Sequence, residues 1–302
     1  MSELRKTTLL TEDCVLHVTF TGSGPDLLIL IPGGHGTGSA FYAALPGLAK
    51  PGTYTAATYD RRGHFISRFT PSGAEINEAT NPAQSARDVL AVMRHLGFER
   101  ASVFGTSMGG VIALQFGVQF PGHVDRLIAH EAPTMALLQG EEGTKWMDWC
   151  FSVYRLYKTV GARRAMLEFL GMTVGWKATA TALVEGAGVE TSPPPPPQSE
   201  EEVEIDRDHE WWFENEFMLT IYTPNLFELK THLSGDGMGT MRVACTVGEA
   251  SRHAPYAKTT YVQRDILGCQ HHVWPGGHLL YAVDVDGFVR AMLESLAKLD
   301  KE

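Results

Sequence analysis

Val103-Phe104-Gly105-Thr106-Ser107-Met108-Gly109-Gly110 joins a short apolar run to a segment that is apolar nearly all round. The spacing predicts a strand over 101–104, a sharp turn carrying Ser107, and a helix over 108–120 that Pro121-Gly122 ends. A strand passes straight into a helix only if the turn residue takes strained dihedrals. The residues two before and two after must then have almost no side chain. Gly105 and Gly109 meet that need. The turn pushes the Ser107 hydroxyl out at the carboxyl end of the strand and aims the first helical amide, on Met108, at the same space. Gly-x-Ser-x-Gly also occurs by chance in chains of 302 residues, so its surroundings decide what it means.

The run Asp26-Leu27-Leu28-Ile29-Leu30-Ile31 reads as a strand buried on both faces of a parallel sheet. Pro32-Gly33-Gly34-His35-Gly36-Thr37-Gly38 follows it. This loop is not Gly-x-Gly-x-x-Gly and has no Gly-Lys-Ser/Thr, so a phosphate cradle is not indicated. It can instead offer a backbone amide to an oxyanion. Gly34 is the preferred donor over Gly33, and His35 is read as a loop or gate side chain.

Further strands are expected over 4–10 and 14–21, as an antiparallel hairpin, and over 54–59, 124–129, 241–247 and 270–274. Helices are expected over 39–49, 82–97, 253–267 and 284–299, and a polar loop over 69–81. Asp60-Arg61-Arg62-Gly63-His64 reads as a solvated turn with a structural Asp–Arg pair. Between 134 and 222 the chain changes character. Aromatic helical patterns cover 144–172 and 206–232. They flank a small apolar stretch at 177–190, five prolines at 193–197 and the acidic run Glu200-Glu201-Glu202-Val203-Glu204. These residues are expected to form a cap inserted into a core made of 1–133 and 223–302, with 192–205 as its flexible part. Trp149, Trp176, Trp211 and Trp212 are candidates for a substrate wall, with Gly33 and His35 opposite them.

Composition narrows the class. A net charge of −10 argues against a nucleic-acid partner. No apolar run approaches the ~20 residues of a membrane span, and the first residues lack the apolar core of a signal peptide. The four cysteines, Cys14, Cys150, Cys245 and Cys269, form no Cys-x-x-Cys pair and no zinc spacing. They are read as reduced, buried thiols of a cytoplasmic protein. Neither a metal nor a cofactor is expected. No membrane partner is expected, and a homodimer is left as an option.

A serine needs a base to take its proton, and the base needs a carboxylate to fix its tautomer. His278, in the loop Pro275-Gly276-Gly277-His278 before the last helix, is the base. His35, His130, His253, His271 and His272 lie at or near strands and fit less well. Two acids compete. Glu131 ends the strand beside the elbow strand, where neighbours about 4.8 Å apart can reach one histidine. Glu249 follows the next strand, within Gly248-Glu249-Ala250-Ser251-Arg252. Glu131 is preferred.

This order of glycine loop, serine turn, insertion and Gly-Gly-His resembles the α/β-hydrolase superfamily over nearly the whole chain outside the cap. The resemblance implies an α/β-hydrolase fold: a mostly parallel eight-stranded sheet flanked by helices, with an inserted helical cap. His130-Glu131-Ala132-Pro133-Thr134, 24 residues beyond Ser107, and Pro275-Gly276-Gly277-His278 resemble the fungal zearalenone lactone hydrolases. That likeness implies a Ser107–His278–Glu131 triad with Gly34 and Met108 as oxyanion amides. It also implies hydrolysis of a small-molecule apolar ester or lactone, first of all a bulky lactone, as in mycotoxin detoxification. The glycine-rich 32–38 loop and the long cap depart from that group. A ligand-binding member of the fold, or a C–C hydrolase or lyase, stays open as an alternative.

Overall fold

The computed structural model describes residues 3–49, 53–71, 82–174, 199–233 and 240–301. Its sheet begins with an antiparallel hairpin, β1 (Arg5–Leu10) and β2 (Cys14–Thr21), which pair from Arg5–Phe20 to Leu10–Val15. The parallel part is β3 (Asp26–Ile31), β4 (Tyr54–Tyr59), β6 (Ala101–Thr106), β7 (Val124–His130), β8 (Arg242–Gly248) and β9 (Gln270–Trp274). The order is β1-β2-β4-β3-β6-β7-β8-β9, and a two-residue strand, β5 (Arg68–Phe69), pairs with β2 beside this path. The eight strands expected from sequence are present, and β5 occupies the start of the expected polar loop. Residues 72–81 of that loop lie outside the described residues.

Side-chain alternation divides β3 between two cores. Leu27, Ile29 and Ile31 face one layer and Leu28 and Leu30 the other, and all are buried. The first layer holds α2 (Pro82–His95) and α3 (Met108–Gln119), together with α7 (Leu226–Lys230). The second holds α1 (Leu45–Leu48) and α10 (Val285–Leu299). A strand covered on both faces has no solvated side, which is why its sequence is an unbroken apolar run.

Between β7 and β8 the chain leaves the sheet and builds the cap. The cap contains α4 (Gly140–Val160), α5 (Ala162–Val174) and α6 (Glu200–Asn215). The single helical pattern expected over 144–172 is two helices, because Gly161 takes φ 115° between them. The pattern over 206–232 is also broken, into the end of α6, a 3-10 turn at Phe217–Ile221, and α7. The acidic run is not a loose tract. Ser199 accepts a hydrogen bond from the Glu202 amide and caps α6, and residues 200–204 form its first turns. Residues 192–198 and the 177–190 stretch lie outside the described residues. Residues 39–49 give a 3-10 turn at Gly38–Phe41 and the short α1 rather than one helix. The remaining helices are α8 (Pro255–Leu267) and α9 (Leu280–Val283). No helix among the described residues is long and apolar enough to cross a membrane.

Candidate active site

The elbow forms as its glycines require. Ser107 sits at φ 53°, ψ −124°, between the end of β6 and the start of α3. A Cβ on Gly105 would stand 2.0 Å from the Gly109 carbonyl oxygen, and one on Gly109 would stand 2.2 Å from that of Ile31. A non-glycine residue at φ near +50° costs on the order of 1–3 kcal/mol, which the packed strand and helix must hold in place. Here the Ser107 amide donates to His130 O at 2.8 Å, and the Ser107 carbonyl accepts from Gly110 N at 2.8 Å.

Glu131, at the end of the neighbouring β7, also takes positive φ, 46°. Its backbone turn aims the side chain across the strand ends. Oε2 lies 2.6 Å from His278 Nδ1. Oε1 accepts from Gly248 N at 2.8 Å and from the Ser251 hydroxyl. The carboxylate is fully buried. Burial alone would raise its pKa, but its neighbours outweigh burial and hold it at about 2. His130, the preceding residue in the chain, is itself kept at about 4 by burial and is neutral near pH 7. The hydrogen bonds from His278, Ser251 and Gly248 therefore do the holding. Glu249 is solvent-exposed and pairs with Arg252 at 2.8 Å, so of the two acids only Glu131 reaches the histidine.

Ser107 and His278 line the same two cavities. With Nδ1 engaged by Glu131, Nε2 is the imidazole atom left for the hydroxyl. The hydroxyl–imidazole hydrogen bond is not closed here, and such contacts commonly tighten only around bound substrate. The wider cavity, of about 290 Å³, is walled by Gly33, Gly34, His35, Met166, Phe169 and Trp212 among others. The narrower, of about 20 Å³, lies toward Met108, Met135, Trp146, Trp149 and Tyr256. Gly34 and Met108 both border this space, and among the described residues neither amide donates to a protein acceptor. His35 lines the wider cavity and is exposed to solvent over part of its surface; desolvation by the surrounding protein shifts its imidazole below its usual range.

Of the four tryptophans expected at the substrate wall, Trp149 and Trp212 line these cavities. Trp211 does not: its indole fills the space over Gly63, with Phe69 at 5.0 Å. Adjacent residues on a helix point about 100° apart, so 211 and 212 cannot face one pocket. Trp176 lies outside the described residues. Spacing missed the other wall residues, Met166, Phe169 and Tyr256, which read equally well as core. The thiols are free, and Cys269 is only half-buried, 3.7 Å from Cys245.

The 60–64 segment corrects the sequence reading. It is buried rather than solvated, and Asp60 does not pair with the arginines. Asp60 accepts from Gly38 N at 2.7 Å, and Arg62 pairs with Asp88 at 2.6 Å and Asp13 at 3.0 Å. Arg61 reaches Glu216 at 2.7 Å, beside the end of α6. These partners lie far along the chain, so no local pattern discloses them.

A family model described as the alpha/beta hydrolase fold matches residues 26–163. This segment holds the glycine loop, the elbow and Glu131. The chain has the α/β-hydrolase fold. Across the full length, this α/β-hydrolase-fold chain superposes on a putative epoxide hydrolase from Pseudomonas aeruginosa. The TM-score is 0.65 at 19% identity, covering 99% of this chain and 97% of that one, a likeness of fold. The Bacillus subtilis (strain 168) protein named uncharacterized hydrolase YraK is 34% identical over 127 residues, 42% of this chain and 44% of the relative. A zearalenone hydrolase of Cladophialophora bantiana is 32% identical over 133 residues, 44% of this chain and 49% of the relative. The matched segment thus spans less than half the length of each of these two relatives.

Proposed function

We propose that this α/β-hydrolase-fold chain is a serine hydrolase that opens carboxylic esters or lactones through an acyl-enzyme, and that its substrates are bulky, apolar lactones of the zearalenone type. The Glu131–His278 contact of 2.6 Å carries the reading. A buried carboxylate on Nδ1 is what lets an imidazole act on a serine through Nε2. Ser107 attacks the carbonyl carbon while His278 takes the hydroxyl proton. The Gly34 and Met108 amides stabilise the oxyanion, each worth about 3 kcal/mol if well aimed. His278 returns the proton to the leaving alkoxide as the C–O bond breaks. Water, deprotonated by His278, then attacks the acyl-enzyme and releases the acid. In a lactone the alcohol stays tethered, and one ring-opened hydroxy acid leaves. The aromatic walls of the cavities, which among the described residues present no carboxylate and no ammonium, favour an uncharged substrate.

The experiment is incubation with zearalenone, a p-nitrophenyl ester and, as a control for the epoxide hydrolase likeness, styrene oxide. Turnover of the first two that Ser107→Ala abolishes supports the reading. Ester turnover without ring opening of zearalenone removes the macrolactone part. Turnover of the epoxide alone, or turnover unaffected by Ser107→Ala, removes the whole.

A further inference from the structure

The oxyanion loop rests on one buried side chain that the reaction does not otherwise use. Arg61 is 2% exposed. Its Nη2 donates to the Gly33 carbonyl at 2.8 Å and lies 3.5 Å from that of Gly34. Its Nη1 donates to Glu216 Oε1 at 2.7 Å, and Glu216 Oε2 faces His64 Nε2 at 3.1 Å. Its own amide donates to Gly36 O at 2.8 Å. Glu216 follows α6, so the arginine is clamped between the cap and the loop.

The consequence follows from peptide geometry. The Gly33 carbonyl and the Gly34 N–H belong to one planar trans unit and point in opposite directions. A carbonyl pinned toward Arg61 sends the Gly34 N–H the other way. A peptide between two glycines has little steric resistance to rotation about its flanking bonds, so it can present either its N–H or its oxygen to a carbonyl substrate. Only the first stabilises an oxyanion. The Gly36 amide also donates to Gly33 O, at 3.0 Å, but a charged guanidinium makes the stronger bond.

We infer that Arg61 is a positioning residue that fixes the Gly33–Gly34 peptide in its oxyanion-binding orientation, and that Glu216 couples this orientation to docking of the cap. The inference rests on the reading of Gly34 as an oxyanion donor. With the cap docked, Glu216 fixes the guanidinium and the donor is set. With the cap displaced, the arginine loses its partner and the peptide is free to turn. The oxyanion hole is then complete only under a closed cap.

The test compares Arg61→Met, Arg61→Lys and Glu216→Gln with the unaltered protein on a p-nitrophenyl ester. Active sites are counted with a fluorophosphonate, and affinity is measured for phenylboronic acid, whose serine adduct is tetrahedral. Loss of one oxyanion donor costs about 100- to 1,000-fold in kcat. A donor misaimed part of the time costs less. Arg61→Met is expected to lower kcat per titrated site by about 10- to 100-fold, with KM changed by less than about 3-fold. Boronate affinity should fall in step with kcat. Arg61→Lys should recover part of the loss, and Glu216→Gln should lie between the two. Full kcat per titrated site in Arg61→Met overturns the inference. So does a loss carried by KM alone, or one explained by fewer active sites. If Arg61→Met does not fold, the lysine and Glu216→Gln variants decide by the same criteria. Turnover that survives Ser107→Ala is a different failure, that of the serine mechanism itself.

Discussion

The indole of Trp212 covers Gly34: its Nε1, Cε2 and Cζ2 atoms each stand 3.4 Å from the point where a Cβ would sit. Trp212 also borders both cavities and is nearly fully buried against Phe169, Phe213 and Phe217. One side chain thus closes the cap core and roofs the Gly33–Gly34 loop. Trp212→Ala should cost about 3–5 kcal/mol of stability, and it should join the two cavities. Thermal or urea unfolding checks the first effect. A rise in activity on long-chain relative to acetyl esters checks the second, and an unchanged chain-length profile would count against it.

The two candidate acids can be told apart by substitution. Glu131→Ala leaves His278 Nδ1 without its partner, and leaves the Gly248 amide and Ser251 hydroxyl unmatched in a buried site. Activity should fall at least about 10³-fold on the scale set by other triads. Glu249→Ala removes an exposed ion pair with Arg252, worth about 0–1 kcal/mol, and should leave kcat/KM unchanged. A reversed ranking would end the assignment of Glu131.

The elbow glycines differ sharply from surface ones. Gly105→Ala places a methyl group 2.0 Å from the Gly109 carbonyl, backbone against backbone, with no flexible neighbour to yield. Loss of soluble, folded protein is expected. Gly122→Ala meets nothing within 4 Å and should change stability by only a few tenths of a kcal/mol. Comparable melting temperatures for the two variants would contradict this account of the turn.

Acid sensitivity should begin above the carboxylate range. Burial holds His130 at about 4, against 6.5 for a free imidazole, and burial likewise holds His209 and His271 at about 4. Between pH 6.5 and 4 the unfolded chain therefore binds protons that the folded chain refuses, and stability falls as pH falls. Glu131 and Glu216, both held at about 2, contribute fully above pH 4.5, and their contribution is lost from there down to 2. Asp60, Asp88 and Asp208, which burial raises, act in the opposite sense and blunt the lower end. Melting temperature should drop steadily from about pH 6.5 downward, and His130→Gln should make that slope shallower. A flat profile down to pH 5 would show that these imidazoles are not kept neutral.

The sequence alone determined the features that local sterics and periodicity control. The run Leu27–Ile31 reads as a strand covered on both sides, and Gly105-x-Ser107-x-Gly109 supplies the small residues that a strand-to-helix turn needs to avoid a backbone clash. The same local logic placed His278 in a glycine-rich loop after the last strand. Tertiary structure alone decided whatever depends on partners far along the chain. Strand order already favoured Glu131 over Glu249, but only the fold carries its carboxylate to a histidine 147 residues away. Arg61 is buried rather than solvated because Glu216, 155 residues on, supplies the opposite charge. Trp211 and Trp212 look alike as neighbours in sequence, and the helix rotation between them sends one to Gly63 and the other to Gly34. Hydrophobic period fixes which face of an element is buried. It does not fix what that face meets, because that depends on how separate elements dock.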